Sequence, residues 1–163
     1  MPIPGIEQPA LLPVGYGLRL RKFDDHYDFA LAWYQDEETT RLVDGEADRY
    51  SPERLKRMYE YLDAHGELYF IEVLENNRWV PIGDVTFWQA DMPIVIGDQA
   101  QRGKGIGGQV IRALINRAKL LGYEKLEVGE IYDFNTGSRK CFESAGFRAT
   151  AKTEKGWHYE LHL

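Results

Sequence analysis

Four glycines and two basic residues lie together in one short segment of the chain, Gln101-Arg-Gly-Lys-Gly-Ile-Gly-Gly108. Glycine has no Cβ atom, so the backbone can turn tightly and come close to a ligand. A helix is predicted to begin at Gly105, and the free N–H groups and dipole of a helix start attract anions. Arg102 and Lys104 add mobile positive charge. The segment therefore predicts an anion-binding loop, because a tight turn alone would weaken the helix start with no gain.

Two general phosphate-binding patterns can be compared with this loop. A P-loop requires serine or threonine directly after its lysine, and Gly105 follows Lys104 here, which excludes that pattern. The dinucleotide fingerprint does match, as Gly103-x-Gly105-x-x-Gly108. Its fold requires repeated strand–helix units, whereas a mostly antiparallel pattern precedes this loop and a single further helix follows the next strand. A dinucleotide-binding oxidoreductase is therefore the more distant alternative.

The loop lies inside a predicted strand–loop–helix–strand unit. Residues 92–96 and 125–130 have the pattern of strands, and residues 105–121 form a strongly amphipathic helix that Gly122 ends. Such a unit makes two parallel strands with a right-handed crossover. The loop then follows the carboxyl end of the first strand and begins the helix, which is where open α/β sheets bind ligands.

The remaining elements surround this unit. Ser51-Pro52 indicates a helix start, because serine caps helices and proline suits their first position. An extended lead-in, residues 1–15, carries four prolines, and residues 16–163 are predicted to form one α/β domain. The other predicted elements of this domain are strands at 17–22, 68–74, 79–88, 147–153 and 157–162, and helices at 23–33, 51–66 and 136–144.

Two motifs resemble those of one enzyme family. Arg102-x-x-Gly105-x-Gly107, between a strand and a long amphipathic helix, resembles the coenzyme A pyrophosphate loop of the GCN5-related N-acetyltransferases (GNAT). The segment Asn135-Thr-Gly-Ser138-Arg-Lys-Cys141-Phe142-Glu-Ser-Ala-Gly146-Phe147 is similar to the family's Asn-x-x-Ser/Ala helix, which ends in Gly-Phe. Two motifs in the right order are far more specific than either alone. The chain resembles the branch that contains the ribosomal-protein alanine N-acetyltransferases and the aminoglycoside 6′-N-acetyltransferases.

The resemblance implies a fold, a cofactor and the contacts between them. The fold would be a mixed, centrally split sheet of about seven strands with about four helices. The cofactor would be acetyl-coenzyme A, with its pyrophosphate on the loop amides and its pantetheine arm beside the strand 92–96. One strand amide would stabilise the thioester oxyanion. The implied cofactor-binding residues are Ile94, Val95, Ile96, Gln101, Arg102, Gly103, Lys104, Gly105, Ile106, Gly107, Gly108, Asn135, Ser138 and Phe142.

Transfer of an acetyl group to an amine requires a base, because an alkylammonium group has a pKa of about 10.4. A carboxylate is the natural base. Asp98 follows the strand 92–96 and Glu130 ends the neighbouring strand, so these two are the predicted catalytic residues. The predicted acceptor-binding residues lie on the preceding strand and on the first variable loop, and they are Asp84, Trp88 and Glu37.

One position departs from the family pattern. Many members have a tyrosine that protonates departing coenzyme A, and this chain has Phe142 there. A thiol has a pKa of about 8.5 and is a good leaving group without an acid. Tyr132, Ser138, Cys141 or water are alternative donors, although Cys141 is expected mainly to pack. Phe142 also motivates a second hypothesis, a coenzyme A-binding module without catalysis.

The distribution of charge bears on the partner. Residues 1–100 carry 19 Asp and Glu against 9 Lys and Arg, whereas residues 101–163 carry 7 against 11. An acidic first part suits a small cationic acceptor, such as an aminoglycoside or polyamine. A peptide acceptor, the N-terminal amine of a protein, is a comparable hypothesis. The net charge of −6 argues against a nucleic-acid partner.

Further features narrow the class of protein. No apolar run has the length of a bilayer span and no signal peptide is recognised, so no membrane partner is expected. Cys141 is the single cysteine, which excludes an intrachain disulfide and favours a cytoplasmic location. The four histidines show no metal-ligand spacing along the chain, so no metal site is predicted. A monomer or homodimer is expected.

Overall fold

The computed structural model describes all 163 residues, and its first five strands form an antiparallel sheet. Asn76 and Asn77 make the turn of the central hairpin with φ angles of 49° and 62°, a conformation that asparagine tolerates. The strands follow one another in chain order across this sheet: β1 (Leu11–Gly15), β2 (Leu18–Lys22), β3 (Glu67–Glu75), β4 (Arg78–Phe87) and β5 (Ile94–Ile96). Because β1 pairs with β2, residues 11–15 of the predicted lead-in are part of the sheet.

A second sheet has three antiparallel strands in the order β6, β8, β7. These strands are β6 (Lys125–Tyr132), β7 (Arg148–Lys152) and β8 (Gly156–His162). The closing hairpin predicted from the sequence is present as β7 and β8. The register between β6 and β8 shifts between Val128 and Ile131, which places a bulge at Gly129 and Glu130.

The two sheets touch over one short segment and then separate. Glu127 N donates to Gln89 O at 2.9 Å, and Asp91 Oδ1 accepts from Gly129 N at 3.1 Å. Beyond this contact β5 and β6 share no backbone ladder. The predicted central split of the sheet is therefore confirmed. The two strands of the predicted crossover unit, β5 and β6, are the strands that diverge.

Five α-helices cover the first sheet on both faces. Ser51 caps α3 by accepting a hydrogen bond from Arg54 N, and Pro52 occupies the first turn, as predicted. Each helix is too short or too polar to cross a membrane. α1 (Leu31–Tyr34), α2 (Glu37–Asp44) and α3 (Pro52–His65) lie on one face, and α4 (Ile106–Leu120) and α5 (Thr136–Ser144) on the other.

The chain has eight strands and five α-helices, more than predicted. The difference arises because β1 lies in the proline-rich lead-in and α2 lies in a polar segment without apolar periodicity. α2 begins because Asp36 caps it, accepting a hydrogen bond from Thr39 N at 3.0 Å.

β3 carries side chains into two separate cores. Leu68 and Phe70 pack beneath α1 and α3, whereas Tyr69 and Ile71 pack beneath α4 and the second sheet. Alternate residues of a strand point to opposite faces, so a strand covered on both sides is apolar at consecutive positions. The first sheet is therefore a central layer, and its edge strand β5 is the one that borders the split.

A buried ion pair attaches α4 to β3. Arg117 Nε and Nη2 donate to the two carboxylate oxygens of Glu67 at 2.6 and 2.7 Å, and the Glu67 side chain is fully buried. Tyr69 donates to the same carboxylate at 3.0 Å. Removing one partner of such a pair leaves a buried charge with too few hydrogen bonds.

Replacing Arg117 with methionine is expected to lower the free energy of unfolding by about 3–5 kcal/mol, because the Glu67 carboxylate stays buried without its partner. Urea denaturation followed by circular dichroism measures this change. The double variant Arg117→Met/Glu67→Leu is the control, and it should be more stable than the single variant. A loss below about 1 kcal/mol for Arg117→Met would mean that this pair behaves like an exposed one.

Candidate functional site

The divergence of β5 and β6 opens a cleft of about 630 Å³. The two strands form opposite walls, α5 and the glycine-rich loop extend them, and α2 contributes from the other face of the first sheet. A cleft of this volume takes a small organic ligand or cofactor. The lining includes Thr39, Leu42, Val43, Asp91, Ile94, Val95, Ile96, Gln101, Arg102, Gly103, Gly105, Ile106, Gly107, Glu130, Tyr132, Asn135, Ser138, Cys141 and Phe142.

The glycine-rich loop adopts conformations that its glycines allow. Gly103 and Gly105 have φ angles of +74° and +78°, a left-handed conformation that costs other residues about 1–2 kcal/mol. The amides of residues 103–107 make no hydrogen bond within the protein, and α4 begins among them at Ile106. Unpaired amides and a helix dipole in one place form an anion site.

Arg102 is fixed in place by the protein around it. Its Nε donates to Ile96 O at 2.8 Å, and its Nη2 donates to Thr39 Oγ1 at 2.7 Å. The expectation of mobile positive charge is therefore wrong for this residue. Arg102 instead ties the loop to the end of β5 and to α2.

The other polar members of the loop have different positions. Gln101 is buried and donates to Glu75 Oε1 at 2.8 Å. Lys104 Nζ lies 3.5 Å from Gln101 Oε1, outside the cleft lining. Gly108 is also outside the lining, one position deeper in α4. Of the predicted loop residues, Lys104 and Gly108 are thus the two that the structure does not bring to the cleft.

β5 presents an unpaired backbone edge to the cleft. Pro93 O and Gly97 N bond to β4, and the backbone groups of alternate residues in a strand point in opposite directions. The N–H and C=O of Ile94 and the N–H of Ile96 therefore face away from β4, toward β6. Arg102 occupies the C=O of Ile96. The edge offers two donors and one acceptor to an extended ligand.

α5 brings the second motif to the cleft. Asn135 caps this helix, because its Oδ1 accepts from Ser138 N at 3.2 Å, and its Nδ2 donates to Leu42 O at 3.4 Å. The Ser138 hydroxyl lines the cleft without a hydrogen bond in the protein. Phe142 is buried and packs edge-to-face on Phe147, with ring centroids 5.2 Å apart. Phe142 therefore contributes apolar surface and no proton.

Two other groups of the lining carry protons. Burial raises the pKa of the Cys141 thiol, so the residue stays uncharged and packs as predicted. Burial, and after it the nearby Glu130 carboxylate, raises the pKa of Tyr132. Tyr132 therefore stays protonated at neutral pH beside an acid.

Glu130 and Asp98 were both predicted as bases, and the structure brings one of them to the cleft. Glu130 lines it from the bulge in β6, and its Oε2 accepts from Lys155 N at 3.1 Å. Asp98 lies outside the lining, where its Oδ1 accepts from Ala100 N at 3.0 Å and caps a short 3₁₀ turn. The geometry favours Glu130.

The three predicted acceptor-binding residues lie outside the cleft lining. Asp84 is buried beneath α1 and α3, where Tyr34 and Tyr59 donate to its Oδ2 at 2.6 and 2.9 Å. Burial raises the pKa of the Asp84 carboxyl to about 6. Trp88 packs against the same core, and Glu37 is exposed on α2. The structure therefore does not bring these three residues to the cleft.

The predicted site leaves out several residues of the lining, including three from α2 and one acid. Thr39, Leu42 and Val43 belong to α2, and Asp91 lies at the narrow end of the cleft. Nothing in the first hundred residues matches a motif, so α2 carried no signal. Asp91 offered one, since an acid directly before a short strand suits a turn, and its Oδ1 accepts from Met92 N and Gly129 N at 2.9 and 3.1 Å.

Comparison with known proteins bears on the whole chain. A family model described as an acetyltransferase (GNAT) domain matches residues 17–148. No curated protein matches the sequence. A solved domain from Methanocaldococcus jannaschii is 24% identical, with a TM-score of 0.77, over 90% of this chain and 98% of that one.

Two further solved structures share the fold. An acetyltransferase of the GNAT family from Bacillus anthracis is 14% identical with a TM-score of 0.74, covering 93% of this chain and 98% of that one. The aminoglycoside acetyltransferase AAC(6′)-Ib, in complex with paromomycin and acetyl-coenzyme A, is 16% identical with a TM-score of 0.72. That match covers 90% of this chain and 93% of the other. At these identities the likeness concerns the fold.

The stability contribution of Asp84 is expected to fall as pH rises. Its pKa is higher in the folded protein, about 6, than in the unfolded chain, so the fold binds this proton more tightly. Stability from the protonated form is therefore present at pH 4 and is lost by pH 7, by about 2 kcal/mol. Urea denaturation at several pH values should show a flatter profile for Asp84→Asn than for the wild type. If the stabilities of Asp84→Asn and the wild type change with pH in parallel, a group other than Asp84 causes the pH dependence.

Proposed function

We propose, from the premise that this chain belongs to the GNAT family of acetyltransferases, that it transfers the acetyl group of acetyl-coenzyme A to a primary amine. One observation carries the proposal: the unpaired loop amides at the start of α4 and the unpaired edge of β5 face one cleft. A pyrophosphate followed by an amide-bearing arm matches these two features in order. The complex of AAC(6′)-Ib with acetyl-coenzyme A supports the same ligand.

Each part of the cofactor is assigned to particular residues of the cleft. Its pyrophosphate would lie on the amides of residues 103–107, and its arm would pair with Ile94 and Ile96 as an added strand does. Ser138, whose hydroxyl has no partner in the protein, would donate to the arm from α5. Of the two free β5 amides, that of Ile94 lies nearer the narrow end, so it is assigned to the thioester oxygen, where negative charge develops.

Glu130 is the proposed base for the acceptor amine. Its carboxylate takes a proton from the ammonium group, and the neutral nitrogen then attacks the thioester carbon. The C–N bond forms, the C–S bond breaks, the sulfur leaves with the electron pair, and the nitrogen loses its second proton to solvent as the amide forms. The hydrogen bond from Lys155 N holds one carboxylate oxygen of Glu130 and leaves the other for this role.

The leaving thiolate needs no acid from α5. Coenzyme A is a thiol, and thiols have a pKa of about 8.5, so the thiolate is a good leaving group at neutral pH. Phe142 in the family's tyrosine position is therefore compatible with catalysis. Tyr132 lines the same cleft and is protonated at neutral pH, so it is the proposed donor of a proton to the thiolate of coenzyme A after it has left.

A small cationic amine is the proposed acceptor. Glu37 and Glu38 are exposed on α2. Burial and Glu130 are the two largest causes of the raised pKa of Tyr132, and the charges of Asp44 and Glu46 add to them. Glu37, Glu38 and Asp44 lie near arginines, so the support for a polyamine or aminoglycoside is the acidic balance of residues 1–100 as a whole. The complex of AAC(6′)-Ib with paromomycin supports that class. A protein N-terminal amine is the second candidate, because it also arrives as a cation.

The activity is tested by coenzyme A release from acetyl-coenzyme A with a panel of polyamines, aminoglycosides and alanine-starting peptides. Glu130→Gln is expected to lower kcat about 10²–10⁴-fold, the usual contribution of a general base, while keeping the bond to Lys155 N. Asp98→Asn, which preserves its turn, should stay near the wild-type rate. The reverse pattern would make Asp98 the base, and no release with any amine would favour a binding module.

The cofactor assignment is tested by two matched glycine variants. Gly105 and Gly122 have φ angles of +78° and +81° with open space around the Cβ position, so alanine at either costs about 1–2 kcal/mol of stability. Gly105→Ala should also raise the KM for acetyl-coenzyme A, because it disturbs the anion site, whereas Gly122→Ala should not. Thermal shifts with coenzyme A and with NADH give a second readout. Equal KM values in the two variants would contradict the assignment.

A further inference from the structure

Two glutamates and a histidine meet on the outer face of the second sheet, away from the cleft. Glu127 on β6 and Glu160 on β8 are direct cross-strand partners, and His158 lies two residues before Glu160 on the same strand and face. His158 Nε2 lies 3.2 Å from Glu127 Oε1 and 3.8 Å from Glu160 Oε1. We propose that these three residues bind one divalent transition-metal ion of the zinc class.

The histidine ring is oriented for this role. His158 Nδ1 lies 3.2 Å from Gly129 O and Nε2 lies 3.2 Å from Glu127 Oε1. Both partners accept, so each ring nitrogen donates in the metal-free protein, and a metal ion would replace the hydrogen at Nε2. Metal-binding histidines commonly have this arrangement, in which the second ring nitrogen donates to a backbone carbonyl. The carbonyl that orients the ring belongs to the bulge in β6 and is not one of the three proposed metal ligands.

The distances suit a small ion. Bonds from zinc to nitrogen and carboxylate oxygen are about 2.0–2.2 Å, which places neighbouring ligand atoms of a tetrahedron about 3.4 Å apart. The three ligand atoms lie within 4.8 Å of one another, and the two histidine distances bracket the tetrahedral value. Imidazole with carboxylates suits zinc, cobalt and nickel, whereas magnesium and calcium prefer oxygen alone.

The charges around the cluster favour a cation between the carboxylates. Two glutamates directly opposite each other on neighbouring strands repel. Lys125 Nζ now lies 3.8 Å from Glu127 and 3.7 Å from Glu160, which is the geometry of a loose, partly exposed ion pair worth little. A divalent ion at bonding distance is a stronger partner than this ammonium, so Lys125 is its competitor.

Spacing along the chain gave no sign of this site and led to the prediction of no metal. The ligands come from two strands, and the β6–β8 register brings residues 127 and 160 together. His162 lies farther out, with its Nε2 3.8 Å from Glu160 Oε2, and is largely exposed. It is therefore the matched control histidine on the same strand.

The test uses the full chain after treatment with a chelator. Isothermal titration with Zn²⁺, and the visible absorption of added Co²⁺, should show one ion per chain in a low-symmetry site. His158→Gln and Glu160→Gln are each expected to weaken binding at least about 100-fold, since even outer partners of a metal contribute about 10–100-fold. His162→Gln should bind as the wild type does. Lys125→Met should tighten binding about two- to five-fold, by removing the competing ion pair.

Several results would overturn the proposal. These are the absence of stoichiometric Zn²⁺ binding, unchanged affinity in both His158→Gln and Glu160→Gln, and an equal loss in His162→Gln. Weaker binding in Lys125→Met would also overturn it, because a cluster that needs its lysine is an ion-pair network. Circular dichroism checks that each variant is folded. If His158→Gln does not fold, the Zn²⁺ affinity of Glu160→Gln decides the test.

Discussion

The site depends on one feature of the backbone: β5 and β6 touch over a short segment and then diverge. Bonds from Glu127 N to Gln89 O and from Gly129 N to Asp91 Oδ1 close the narrow end. Beyond them, β5 keeps backbone donors and an acceptor without partners in the protein. Unpaired backbone groups cost roughly as much as a lost hydrogen bond when they are removed from water. This edge of β5 therefore suits a ligand that brings its own amides.

α2 is the element that connects the two sides of this gap. Arg102, from the glycine-rich loop, donates to Thr39, and Asn135, from the start of α5, donates to Leu42 O. Both residues belong to the motifs of the proposed cofactor site, whereas α2 lies on the face of the proposed acceptor. A ligand that draws Arg102 or Asn135 away would thus release a contact with α2. The cofactor and acceptor sides share a physical link, made of two hydrogen bonds.

Burial separates the carboxylates of this protein into structural and chemical groups. Asp84 is enclosed by Tyr34 and Tyr59, which satisfy one oxygen, and its raised pKa reflects the loss of water around it. Glu67 is equally enclosed but has Arg117, so it serves as an attachment of α4. Glu130 stands exposed on a bulge at the cleft, where a proton can be exchanged with a bound molecule.

The sequence by itself determined the features that depend on near neighbours. The glycines at 103 and 105 predicted a tight turn, which the chain makes with positive φ angles. Ser51-Pro52 and Asn135 marked helix starts, and apolar spacing marked the unit that carries the loop. Tertiary structure decided which charged side chains share a site. Asp98 caps a 3₁₀ turn after β5. Glu130 reaches the cleft because a bulge shifts the register of β6, and a one-residue shift turns a side chain to the other face. Cross-strand pairing likewise joined Glu127 to His158 and Glu160, since it brings together residues that no local pattern connects.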